Sequence, residues 1–135
     1  MIHEEICTYE VCKLAKEKGF NVQTFDWYDY TGNYHKGFIP HELHECPRYK
    51  EYYAPTQSLL QRWLREGKKM YVCPSIISDY EDDFHPDIVY WSFIIVSTES
   101  GDSIYREYER IDDKRFATYE LALEDALKYA LENLV

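Results

Sequence analysis

Glycine and proline are scarce in this chain, five of each in 135 residues, which excludes collagen-like and low-complexity architectures. Basic residues are outnumbered, 15 Lys and Arg against 25 Asp and Glu, for a formal charge of -10. Neutralising a phosphate backbone needs the opposite balance, so general nucleic-acid binding is not expected. No apolar run reaches the roughly 18 residues of a membrane-spanning helix. The longest, IVYWSFIIV from Ile88 to Val96, reads as a buried strand, and no membrane association is expected. The opening MIHEEICTYEV carries acids where a signal peptide carries bases and has no continuous apolar centre, so a cytoplasmic location is the expectation. The cysteines, Cys7, Cys12, Cys46 and Cys73, are too few and too irregular for a disulfide scaffold, and by default each is a small hydrophobe.

Hydrophobic residues make up 45% of the chain and charged residues 30%, enough to build one core in a single domain over 1–135. Aromatics reach 17%, with 14 tyrosines, so much of that core is expected to consist of rings with a polar tip.

The same short grammar occurs twice, as CTYEV at 7–11 and ATYEL at 117–121. Thr8 and Thr118 suit N-caps, and Glu10 and Glu120 then sit in the first turn, against the positive end of the helix dipole. Cys7, Val11, Leu14 and Ala15 follow helical spacing, with Gly19 as the stop. Tyr119, Leu123, Ala126, Leu127, Ala130, Leu131 and Leu134 form one stripe down a last helix. Between them, APTQSLLQRWLREGKK reads as a helix with Pro55 in its first turn, Leu59, Leu60, Trp63 and Leu64 as its apolar face, and Gly67 at its end. TFDWYDYTGNYHKGF reads as a hairpin turning at Thr31, Gly32 and Asn33. Strands are expected at KKMYVCP, at 88–97 and, in strict alternation, at IYREYERI from Ile104, the last as an edge. The order α-β-β-α-β-β-β-α, rich in hairpins, predicts an α+β fold: a mostly antiparallel sheet of about five strands with three helices.

The segment HKGFIPHELHECPRY places His35, His41, His44 and Cys46 within twelve residues. A single turn after Pro40 would put His41 and His44 on one face, with Cys46 at its end and His35 reaching across, a weak zinc pattern because structural zinc sites use two close pairs. A solvated loop is the plainer reading. A thiol nucleophile would need Cys46 or Cys73 beside a histidine in an electropositive pocket, yet Cys46 follows Glu45 and has only Arg48 nearby. The acids Asp79, Glu81, Asp82 and Asp83 lack the spacing of a calcium loop. Arg62, Arg65, Lys68 and Lys69 surround Trp63, which suits either a helix C-terminus or a grip on nucleic acid or an acidic partner, the helix C-terminus being the plainer reading. With Tyr49, Tyr52 and Tyr53 on the long connection ahead of that helix, Arg62 and Arg65 are the candidate interaction surface.

VCKLAKEKGF at 11–20, APTQSLLQRWLREGKKMYV at 54–72 and TYELALEDALKYAL at 118–131 together resemble a family of short proteins of gut Bacteroides-group bacteria, their phages and mobile elements. The A-P-T-Q-S-L-x-Q-x-W-L-R-E stretch is the most specific part. The resemblance implies a cytoplasmic accessory protein and brings no activity, cofactor or catalytic residue. The expectation for function is therefore a non-enzymatic binding module with a protein partner, no catalytic residue and no cofactor, with homo-oligomerisation left open. A zinc protein built on His35, His41, His44 and Cys46 is one alternative. An acidic imitator of nucleic acid, occupying a host protein's basic groove, is the other.

Overall fold

The computed structural model describes residues 3–37, 51–77, 90–98, 104–106 and 115–135. Among them are three helices, α1 (Tyr9–Glu17), α2 (Gln57–Lys68) and α3 (Tyr119–Asn133), and six short strands. β1 (Trp27–Tyr28), β2 (Tyr34–His35) and β3 (Tyr52–Tyr53) form one antiparallel sheet in the order β2-β1-β3. β4 (Met70–Ile77), β5 (Tyr90–Ser97) and β6 (Ile104–Arg106) form a second, in the order β4-β5-β6. The α+β class is as expected. The single sheet of about five strands is replaced by two small ones, and the connection before α2 holds β3, whose Tyr52 and Tyr53 pair with Tyr28 and Trp27. Two tyrosines carry too little periodicity to read as a strand in isolation; they become one because β1 offers an open edge.

All three helices begin in the same way. The hydroxyls of Thr8, Thr56 and Thr118 accept from the N–H three residues on, at 3.4, 3.2 and 3.1 Å, the N-cap bond. Cys7 and Cys12 flank the first cap at the two positions of a hydrophobic staple, both fully buried. Pro55 is not in the first turn of α2: Thr56 is the cap, and Pro55 occupies the buried position ahead of it. At the end of α1, Gly19 lies at φ 99°, and Phe20 N–H and Gly19 N–H bond to Ala15 O and Lys16 O at 2.9 and 3.1 Å, the paired bonds of a Schellman stop. Gly67 does not end α2. The helix runs one residue further, and Lys69 takes the left-handed position at φ 54°.

α2 and α3 pack on β4, and α3 also on β5 and α1, while α1 rests against β3. Sandwiched in this way, α3 buries two adjacent rows, Ala122, Ala126 and Ala130 beside Leu123, Leu127 and Leu131. The alanine row permits close approach; the leucine row fills space. Tyr119 lies outside this face, 40% exposed, its ring edge-on to Trp91 at 5.4 Å.

β4 continues through Pro74 to Ile77, three residues beyond the strand read from KKMYVCP. Proline lacks the N–H that an interior strand must donate. Here Gln61 Nε2 donates to Val72 O, so Val72, and with it Pro74 two residues on, direct their backbone groups away from β5 to the strand's free side. The missing donor falls where no ladder bond is made.

One polar node joins the helix starts. Gln57, 4% exposed, donates from Nε2 to Glu120 O at 2.9 Å and to Glu124 Oε2 at 2.8 Å. Glu124 Oε1 in turn accepts from Thr8 N–H at 2.7 Å. In a capping box the N-cap N–H is bonded by a glutamate three residues on; that position in α1 is Val11, and α3 supplies the carboxylate instead. Replacing Gln57 with leucine is expected to cost about 1–3 kcal/mol, because a half-buried carboxylate and a carbonyl lose their donor; an unchanged urea midpoint would contradict this. Replacing Lys69 with glycine should raise the urea midpoint, by about 0.5–1 kcal/mol of stability, as the left-handed cap loses its Cβ penalty.

Candidate functional site: a groove beside the second helix

α2 turns Leu60 and Leu64 inward, both fully buried, which leaves Ser58, Gln61, Arg62 and Arg65 along its outer flank. Ahead of it, the chain from Ala54 to Gln57 is held on two sides. Cys7 N–H bonds to Pro55 O at 3.0 Å and Gln57 N–H to Glu5 O at 2.8 Å, fixing the 4–7 segment. Ala54 N–H bonds to Asp26 O at 3.0 Å and to Thr24 Oγ1 at 3.1 Å, fixing the segment that leads into β1. Between these two segments and α2 lies an open groove of about 620 Å³. Ala54 and Thr56 line its base, Ile6 and Leu59 give it apolar surface, and Phe25 lines it while 63% exposed.

Its charges are unequally committed. Glu4 Oε1 accepts from Ser58 Oγ at 3.0 Å, and Asp26 accepts from the Tyr34 hydroxyl and from Gly37 N–H. Both acids hold the walls through neutral donors and keep their negative charge. On the α2 side, Arg62 is held through Nε alone, 2.9 Å from Glu66 Oε1 one turn on, while its two terminal nitrogens stay in an exposed side chain. Arg65 carries no ion pair among the described residues. The groove thus pairs an acidic wall, hydrogen-bonded to neutral donors, with a cationic one.

A second cluster sits on the hairpin. Asp29 Oδ1 accepts from Thr31 N–H at 2.9 Å, from the Thr31 hydroxyl at 2.5 Å and from Asn33 N–H at 3.0 Å, while Oδ2 lies 2.7 Å from His35 Nε2. The His35 ring stacks on Trp27 at 4.3 Å. These bonds hold the Asp29 carboxyl well below the usual carboxylate range, the Thr31 hydroxyl contributing most and His35 next. The turn is tightened further by Gly32, at φ 88°, where a side chain would also meet the Tyr9 ring at 3.4 Å. On the opposite face of this sheet, Tyr9 meets Tyr28 and Tyr52 edge-on at 5.8 and 5.5 Å. Tyr28 donates to Cys7 O at 2.8 Å, and burial pushes its phenol up to about 12.

Of the residues singled out from the sequence, Arg62 and Arg65 line the groove. Tyr52 does not belong to a surface: it is 5% exposed and part of the core. Tyr53 is half-buried, across from Trp27. His35 is engaged by Asp29 on the hairpin, and among the described residues no three His, Cys, Asp or Glu side chains converge as metal ligands would. His41, His44, Cys46, Tyr49 and the acidic run 79–83 lie outside the described residues. Cys73 is exposed on β4, opposite Ile94, whereas burial pushes the Cys7 and Cys12 thiols far up and makes them poor nucleophiles. Phe25, Ile6 and Glu4 were not legible as site residues, because nothing local links positions 4–6, 23–26 and 54–65; only the backbone bonds between those segments do.

Comparison of the chain with protein-family models, with curated proteins and with solved structures gives no match.

Because the folded Asp29 carboxyl titrates below its unfolded counterpart, its stabilising contribution is complete above the unfolded value of about 3.9 and is lost as pH falls through the lower, folded one. Asp29→Asn is therefore expected to be less stable than the wild type near neutral pH, with the difference closing below about pH 4. Urea midpoints measured across that range check it; a gap that stays constant with pH would show that the carboxylate's charge is not what stabilises the turn.

Proposed function

We propose that the protein is a non-catalytic binding module whose contact site is the groove between α2 and the segments 4–6 and 23–26. The observation that carries this reading is the division of labour among its polar groups. Glu4, Asp26, Ser58 and Thr24 are bonded to their neighbours and build the walls, whereas Arg62 and Arg65 extend from the helix flank beside Ile6, Leu59 and Phe25. A volume of about 620 Å³ falls within the range of ligand-sized sites, and the open shape suits a side of a chain rather than an enclosed small molecule. A mobile-element or phage accessory role in the cytoplasm is part of the same proposal and is supported by the resemblance of the 11–20, 54–72 and 118–131 segments.

Selection of binders from an unbiased displayed-peptide library, followed by amide NMR mapping, tests the site. Selected peptides should shift the signals of residues 23–26 and 54–65. A groove-filling Ser58→Trp variant should weaken them at least about tenfold, a loss of roughly 1.4 kcal/mol, while keeping the wild-type circular dichroism spectrum. Failure to select any binder, or shifts confined to other elements, would overturn the reading.

A further inference from the structure

We infer that the groove's partner is a peptide segment that presents a carboxylate next to an apolar side chain, with Arg65 and Arg62 taking the carboxylate and Leu59, Ile6 and Phe25 taking the apolar group. The inference rests on the binding-site reading above and goes beyond it by naming the partner's chemistry.

Three observations carry it. The first is charge complementarity against the grain of the whole molecule: the chain has a formal charge of -10, yet the α2 flank of this groove presents two guanidiniums three residues apart, on neighbouring positions of one helix face. Charges spread over the rest of the surface are screened beyond about 8 Å at physiological ionic strength, so what is attracted at contact distance depends on the groove's own groups, Arg62 paired with Glu66, Arg65 without an ion pair among the described residues, and Glu4 and Asp26. The second is the state of the arginines. Glu66 holds Arg62 at Nε, which restrains the side chain and leaves its terminal nitrogens for the forked contact that guanidinium makes with a carboxylate. Arg65 has no ion pair among the described residues to surrender on binding. The third is the opposite wall: Glu4 and Asp26 line the same groove. A polyanionic strand laid along it would bring several phosphates to a groove that also holds Glu4 and Asp26, whereas a peptide with a single carboxylate can face the arginines and turn its neutral portion to the acids. A peptide is therefore favoured over a nucleic-acid strand.

The test uses the full chain and a synthetic library of acetylated, amidated hexapeptides in which one central position is Glu, Gln or Lys and its neighbours are Leu, Phe or Ser. Binding is read by fluorescence anisotropy of labelled peptides. Glu peptides with an adjacent Leu or Phe should bind at least about tenfold more tightly than their Gln counterparts, and added salt should weaken them. Arg65→Glu, at an exposed position, should lose the Glu peptides and gain the Lys ones, a reversal that unfolding cannot mimic; Arg62→Ala should weaken the Glu peptides without reversing the preference. Equal binding of Glu and Gln peptides, or an Arg65→Glu variant that still prefers Glu, would overturn the inference. So would displacement of a bound Glu peptide by an equimolar thymidine oligonucleotide, which would make the flank a phosphate-binding surface. Neutral or basic peptides that bind and are excluded by Ser58→Trp would leave the groove a binding site and remove only the carboxylate chemistry, whereas no peptide binding at all would remove both.

Discussion

The Glu124 carboxylate on α3 bonds at once to the starts of α1 and α2. One oxygen takes the N–H of Thr8 at the start of α1, the other takes the amide of Gln57 in the first turn of α2, and the same amide reaches Glu120 O on α3. Each helix start leaves N–H groups without an internal partner, and Thr8 supplies only one of the bonds needed at the start of α1. With its third helical residue given to Val11, which is 1% exposed in the core, α1 cannot carry its own capping glutamate. A neighbouring helix provides it, which makes the cap conditional on correct assembly. Local capping and global packing are thereby coupled: misplacing α3 by one turn would orphan a carboxylate, an amide and a backbone donor together.

The groove follows from that node. Once Glu124 and Gln57 set the start of α2 beside the start of α1, the backbone bonds between 5–7 and 55–57 are in register, and the bonds of Ala54 to Asp26 and Thr24 bring the hairpin alongside. Three segments then converge on the outer flank of α2 without filling the space between them. The acids at this junction are bonded to hydroxyls and backbone N–H groups. The bases are left on the outside of the helix, where the core makes no demand on them. Aromatic rings do the remaining positioning, with Tyr9 wedged between Tyr28 and Tyr52 so that the small sheet is seated on α1 by edge-to-face contacts.

The polar letters of APTQSLLQRWLRE, singled out by resemblance, turn out to have separate structural tasks. Thr56 caps the helix, Gln57 bridges to α3, Gln61 covers Val72 O on the free side of β4, and Arg62 and Arg65 line the groove. Helices were legible because their signals are local: a threonine before Tyr-Glu, a stripe every three to four residues, a glycine at the stop. The start of α2 was misplaced because Pro55 offers a plausible first turn, and only the Thr56 bond to Leu59 N–H decides otherwise. Its end was misplaced because Gly67 is the usual punctuation, whereas Lys69 adopts the left-handed turn despite its Cβ. The small sheet was half legible, since the hairpin has a turn signal in Thr31-Gly32-Asn33 but β3 has none.

By itself, the sequence determined that this chain folds, that it does so with three capped helices and antiparallel strands, and that four of its fifteen Lys and Arg residues fall together towards the end of the second helix. Those properties rest on composition and on periodicities that a stretch of ten or fifteen residues contains in full. Only the tertiary structure decided that the strands form two sheets, that Tyr52 is core, that β4 runs on through Pro74, and that Arg62 and Arg65 face Phe25 and Ile6 across a groove. Each of those depends on which segments lie side by side, and that is settled by hydrogen bonds and burial between positions that are distant along the chain.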